Sequence, residues 1–264
     1  MPPFKFNLFR KRPSVVREAL HLAQEKQEEI EELKKLESYR REFLGNVSHE
    51  LKTPLFNVQG YVLTLLDGGM NDPGILREYL QRSEKNIDRM IAIIEDLETI
   101  SQFETGEMKL NLIRFDIASL AQEVVELLET KATKKAITLT CPEEPLKEHY
   151  VLGDKERIRQ VLINLVDNSI KYGNEGGHTE ISFSENENVV ETTVADNGIG
   201  IAKKDIPRLF ERFFRVDKSR SREQGGSGLG LAIVKHIMEA HGNNVTVKSA
   251  PSEGSAFTFR LKKP

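Results

Sequence analysis

A single cysteine in 264 residues, Cys141, rules out an internal disulfide framework and fits a reducing compartment. It is expected to sit in a strand as a small apolar residue. Long hydrophobic runs are missing too. The longest candidates, residues 61–66 and 90–94, are short pieces of amphipathic pattern, far from the roughly 20 residues of a membrane-spanning helix. The first residues lack the continuous apolar core of a secretory signal. Charge of one sign is also scarce. The net charge of −3 and a sequence pI ≈ 6.1 leave no general basic footprint for nucleic acid. These absences lead to the expectation of a soluble, cytoplasmic chain. Any membrane link would run only through a missing upstream segment, with the chain a truncated part of a membrane receptor or a natural soluble protein. One basic cluster stands out, Lys5, Arg10, Lys11 and Arg12 interleaved with Phe4, Phe6 and Phe9. It reads equally as an unstructured start or as a juxtamembrane segment.

With 38% apolar and 30% charged residues the chain has material for two ordinary domains. From residue 13 to about 66 it is charged, nearly free of glycine and periodic. Val16, Ala23, Ile30, Leu44 and Leu51 recur at multiples of seven, with Ala19, Leu33 and Val47 at intermediate positions. Glu37, Lys26 and Arg40 interrupt that seam, so the pattern predicts a long helix that pairs with other helices. The breaker-rich segment 67–74 predicts a turn, and Leu76, Leu80, Ile87, Met90, Ile91, Ile94 and Leu97 mark a second helix ending near Phe103. Two such hairpins would form a dimeric four-helix bundle. Beyond residue 104 the pattern changes to strand-like alternation at 181–183, 190–194, 245–247 and 257–261. Helical stretches are expected near 116–134, 154–171 and 228–241. The expected organisation is therefore an N-terminal stub (1–13), a signalling helix and hairpin (14–104), and an α/β-sandwich domain (105–264).

Four constellations could carry chemistry. His49 lies in Asn46-Val47-Ser48-His49-Glu50-Leu51-Lys52-Thr53-Pro54, and imidazole can be a neutral nucleophile at cellular pH. Glu50 could accept its proton, although neighbours at i and i+1 do not face each other on a helix. Pro54 should bend the helix. Alone, a surface histidine on a charged helix explains this segment equally well. In the second, Asn164, Asn168 and Lys171 fall on one helical stripe beside an apolar face, a flank suited to a hydrated Mg²⁺ and a polyphosphate. Tyr172 could offer a surface for a base. Paired asparagines on a helix are, taken alone, more often incidental. Third, Asp196 ends a strand and runs into Gly198 and Gly200, where a carboxylate could accept from the exocyclic amine of adenine. A plain Asp-Asn-Gly turn is the bland alternative. Fourth, Gly226, Gly228, Leu229 and Gly230 lead into a helix whose N–H groups favour phosphate. The polar stretch before them, 217–224, looks like a lid. Phe210, Phe213 and Phe214 read as packing residues, with Arg215 able to reach phosphate.

Order and spacing together are more specific than any one motif. From about residue 42 to 261 the sequence resembles the sensor histidine kinase family. FLGNVSHELKTPL resembles its H box, RQVLINLVDNSIKYG its N box and VADNGIGI its G1 box. LFERFFRVD resembles the F box and GGSGLGLAIVKHIMEAHG the G2 box. The resemblance implies a dimerisation and histidine-phosphotransfer hairpin followed by a Bergerat-type ATPase domain. It implies ATP and Mg²⁺ as cofactors, a homodimer, and a response regulator receiver domain as partner. His49 would be the phosphoacceptor, Glu50 the general base, and Thr53 the residue that orients water in dephosphorylation of the partner. Asn168 would ligate the metal, with Asn164 beside it and Lys171 on phosphate. Tyr172 would line the pocket, Asp196 read adenine, and Arg215 approach the γ-phosphate. Gly226, Gly228 and Gly230 would cradle the phosphates. Pro54 and the junction at 104–106 are the expected hinges. Three alternatives stay in view: a phosphatase-dominated regulator, a non-catalytic dimeric scaffold, and a chaperone-like ATPase that does not phosphorylate itself. The last two would each lack a motif that is present here.

Overall fold

A computed structural model of the chain describes residues 13–105, 109–142, 148–216 and 226–264. The basic-aromatic cluster at 4–12, the lid expected at 217–224 and the hinge glycine at 106 lie outside the described residues. The chain divides into two compact units, residues 1–52 and 53–264.

Helix α1 (Pro13–Leu66) runs through Pro54 without a break in its assignment. In the first unit it leaves Leu22, Ile30, Leu33 and Leu44 exposed, as the interrupted heptad predicts for a helix that needs a partner. In the second unit a turn with Gly68 at φ 104 leads to α2 (Pro73–Glu104). Asp72 caps α2 by accepting from the backbone N–H groups of Gly74 and Ile75, and Pro73 occupies the first turn, where its missing N–H costs nothing. The two arms meet through the Tyr61 and Tyr79 rings, 5.2 Å apart, and through Asn57, whose amide donates to Asn86 at 3.3 Å. Leu55, Phe56, Leu63, Leu80, Ile87 and Ile91 remain exposed on this hairpin.

The remaining described α-helices and strands are β1 (Ile113–Asp116), α3 (Ile117–Thr133), β2 (Thr138–Thr140), β3 (Tyr150–Gly153), α4 (Lys155–Tyr172), β4 (His178–Glu185), β5 (Val189–Asp196), α5 (Gly230–Ala240), β6 (Thr246–Ala250) and β7 (Gly254–Lys262). The strands form one sheet in the order β1-β3-β7-β5-β4-β2, with β6 pairing the start of β7. Its centre is antiparallel, from Thr179 opposite Asp196 to Val190 opposite Leu261. Among the described strands, only β2 runs parallel to its neighbour, β4. Alternate residues of the central strands, among them Ile181, Val190, Val194, Phe257, Phe259 and Leu261, are buried and meet the apolar faces of α3, α4 and α5 in one cluster. Each fully buried large side chain there, such as Phe259 or Leu165, contributes about 1.5–3 kcal/mol.

Three short strands, β1, β2 and β3, were not among the expected ones. Cys141 follows β2 instead of lying in a strand. Half-buried against the core, it has a thiol that burial pushes up to about 11, so it is a packing residue of low reactivity. The last turns of α2 pack on the sandwich. Ile100 is fully buried in the common core, and the Phe103 ring stacks on His236 at 6.2 Å.

Candidate functional site

The site is built around α4. Asp154 caps it by accepting from Arg157 N, while its own N–H donates to His241 Nε2 at 3.0 Å, tying the start of α4 to the end of α5. Ile158, Val161, Leu162, Leu165 and Val166 face the core, which fixes the helix rotation. That rotation puts Asn164, Asp167, Asn168 and Lys171 along one flank of a cleft of about 920 Å³. Ser169, on the core side, is satisfied: its hydroxyl donates to Val166 O and accepts from Thr179 Oγ1 at 2.8 Å.

Strand β5 delivers Asp196 to the same cleft. Its Oδ1 accepts from Gly198 N at 2.8 Å, closing the turn that follows. Burial pushes its carboxyl up from the usual range, against the opposing hydrogen bonds from the Gly198 and Ser255 backbone. The turn is held to the end of α4 by Ile199 N donating to Tyr172 O and by Asn174 donating to Asn197 O. Gly200 has φ +66, and a Cβ there would lie 1.8 Å from Ala250 O, so only glycine lets the turn close on the β6–β7 hairpin.

The third wall is the loop entering α5. Gly228 has φ +75 and its carbonyl accepts from Phe213 N at 2.9 Å. A Cβ on Gly230 would come within 2.9 Å of Asn164 Oδ1, so the start of α5 presses directly against the asparagine stripe. Helix α5 begins without a side-chain cap among the described residues, which leaves N–H groups of its first turn available to an anion.

One cluster of charges in the cleft is paired. Asp167 holds Lys171 at 2.6 Å and also Lys131. Burial alone would raise the Asp167 carboxyl, but these ammonium groups hold it below the usual range. Burial raises the Tyr172 phenol, partly offset by Arg215.

Of the twelve residues expected to bind the nucleotide, Asn164, Asn168, Lys171, Tyr172, Asp196, Gly200, Arg215, Gly226, Gly228 and Gly230 line this one cleft. Two do not. Gly198 is buried beneath the turn, where a Cβ would meet Tyr172 O at 2.6 Å, and Leu229 is a fully buried core residue. Phe214, expected to pack, also lines the cleft, with the Arg208 guanidinium 4.5 Å from its ring centre. Arg215 is engaged locally, donating to the Gly226 carbonyl. His49, Glu50 and Thr53 lie on α1, with His49 and Thr53 exposed and Glu50 half-buried. No sequence signal pointed to α2, which brings Lys85, Asn86, Arg89, Ile93 and Asp96 to the cleft. Asp167 could have been found, since an acid four residues before Lys171 on a helix is a pairing signal.

Residues 39–106 match the family model of the His Kinase A (phospho-acceptor) domain. Residues 153–264 match that of the histidine kinase-, DNA gyrase B-, and HSP90-like ATPase. The chain belongs to the sensor histidine kinase family. Among its relatives, sensor histidine kinase WalK of Bacillus subtilis (strain 168) is 37% identical over 236 residues, 88% of this chain and 38% of WalK. Sensor-like histidine kinase SenX3 of Mycolicibacterium smegmatis is 37% identical over 227 residues, 86% of this chain and 58% of SenX3. The chain thus spans less than two thirds of these curated relatives. The solved structure of histidine kinase ThkA in complex with response regulator protein TrrA matches with TM-score 0.68 and 26% identity, covering 90% of this chain and 66% of that one. No described helix of the chain is long and apolar enough to cross a membrane.

Proposed function

We propose that the chain is an ATP-dependent protein-histidine kinase that moves the γ-phosphoryl group of ATP to His49. The phosphoryl group then passes to an aspartate of a response regulator receiver domain. One observation carries the reading. The asparagine flank of α4, the Asp196 strand end and the glycine loop at α5 converge on a cleft whose 920 Å³ suits a nucleotide.

The donor set fits a hydrated magnesium ion. Asn164 and Asn168 offer amide oxygens, and no described group of three or more His, Cys, Asp or Glu could enclose a metal without phosphate oxygens. Asn168 would be the main ligand, and the ion would neutralise charge on the phosphate oxygens. Asp196 accepts from the adenine amine, and Tyr172, 37% exposed at the rim, offers its ring to the base. Lys171, oriented by Asp167, and the first N–H groups of α5 receive the polyphosphate. Arg215 lies beside the phosphate loop through Gly226. At the acceptor, a ring nitrogen of His49 forms the N–P bond as the bond from the γ-phosphorus to the bridging oxygen breaks, and ADP leaves. Glu50 takes the proton from the other ring nitrogen. Transfer needs the γ-phosphorus within about 3–3.5 Å of that nitrogen and in line. Thr53, one helical turn beyond His49, orients water for hydrolysis of the partner's phosphoaspartate, which releases inorganic phosphate. The uncovered apolar stripes of the hairpin support a homodimer.

The test compares γ-labelled with α-labelled ATP in the presence of Mg²⁺. Acid-labile label should appear with the γ-label alone, and Asp196→Asn should lower its rate by about ten- to a hundredfold at limiting ATP, since the carboxylate's hydrogen bond to adenine is worth about 1.5–3 kcal/mol. Acid-labile label from the α-labelled nucleotide alone would mean nucleotidyl transfer, with the γ-phosphorus lost in pyrophosphate, and would end this reading.

A further inference from the structure

Asp96 is one of the acids that α2 brings to the cleft, and it has a specific partner there. Its Oδ2 accepts from Ser227 Oγ at 3.1 Å, between the two cleft-lining glycines Gly226 and Gly228. The same Ser227 oxygen accepts from Leu229 N at 3.2 Å, so the contact bears on the loop that opens α5. Asp96 also feels the positive charge of Lys171 across the cleft and the negative charge of Glu95 on its own helix. The helix is seated around this contact by Ile93, which is 1% exposed, by Ile100 in the common core, and by Phe103 stacked on His236.

Lys171, assigned above to the polyphosphate, is thus already paired with one carboxylate, and the loop that opens α5 is engaged by a second. Asp167 belongs to the same helix as Lys171 and stays with it whatever α2 does. Asp96 comes from a different element, and its charge has the same sign as the incoming phosphate. Two anions cannot share one small loop in a partly desolvated cleft without strong repulsion. We propose that Asp96 sets the nucleotide affinity of this chain by competing with the polyphosphate for the Ser227 loop, so that a triphosphate binds only as the carboxylate leaves. The inference rests on the assignment of the cleft to ATP. Burial supports it, because it pushes the Asp96 carboxyl up to about 6, and an ionised group held at such a cost is readily displaced.

The experiment is equilibrium binding of the β,γ-imido analogue of ATP, ADP and adenosine to the whole chain and to Asp96→Ala, with Mg²⁺ present. The variant should bind the triphosphate about tenfold more tightly, ADP with a smaller gain, and adenosine as before. Asp96→Asn, which keeps the acceptor oxygen and loses the charge, should fall between and provides the answer if the alanine variant does not fold. Unchanged or weaker triphosphate binding overturns the proposal while leaving ATP in the cleft. A gain of equal size for adenosine also overturns it, since that marks a general opening of the cleft. Binding to none of the chains overturns the cleft assignment, and this inference with it.

Discussion

Asn168→Ala is expected to abolish Mg²⁺-dependent nucleotide binding and to lower autophosphorylation by at least about a hundredfold. Magnesium keeps most of its waters and takes few protein ligands, so one lost amide oxygen removes a large share of what the protein supplies. Asn168 sits on the cleft flank of α4, away from the face that packs on the core. Alanine is a good helix former, so the fold should persist with a circular dichroism spectrum like that of the unaltered chain. Binding measured with and without Mg²⁺ separates the two contributions: the variant should show only the weak, metal-independent remainder. A variant that still gains affinity on Mg²⁺ addition would move the ligand role to Asn164 or elsewhere.

The second large effect is structural. Gly200→Ala forces a side chain onto φ +66 and into a position 1.8 Å from the Ala250 carbonyl oxygen. Backbone on both sides must then separate, which costs about 3 kcal/mol or more. The turn after Asp196 and the β6–β7 hairpin should loosen together, because Ser252 N donates to Ile199 O and Ile201 N to Ser249 Oγ across the same junction. Urea unfolding measures the loss. A change below about 1 kcal/mol would show that the turn relaxes without strain.

What could be read from the sequence follows the reach of local rules. The stripe Asn164, Asn168, Lys171 was legible because helix periodicity fixes it once Ile158, Val161, Leu162 and Leu165 are assigned to the core. Strands β5 and β7 were legible from their alternation, since each has one buried face. Strands β1, β2 and β3 have four residues or fewer and owe their conformation to their partners, as in Ile113–Asp116 set against Tyr150–Gly153. Motif membership did not separate ligand-facing positions from supporting ones. Gly198 and Leu229 lie within the glycine-rich motifs yet serve packing, because close backbone approach and core filling are needed beneath the cleft as much as in it. Asp96 was beyond any such reading. Its partner Ser227 is 131 residues away, and only the packing of α2 on α5 brings them together.

Incubation with γ-labelled ATP and Mg²⁺, beside a His49→Gln variant whose ATP affinity is measured in parallel, tests the central claim most directly. The account predicts acid-labile label on the unaltered chain, none on the variant, and equal ATP binding by both. Label that persists on His49→Gln, or an unaltered chain that binds ATP and stays unlabelled, would contradict it.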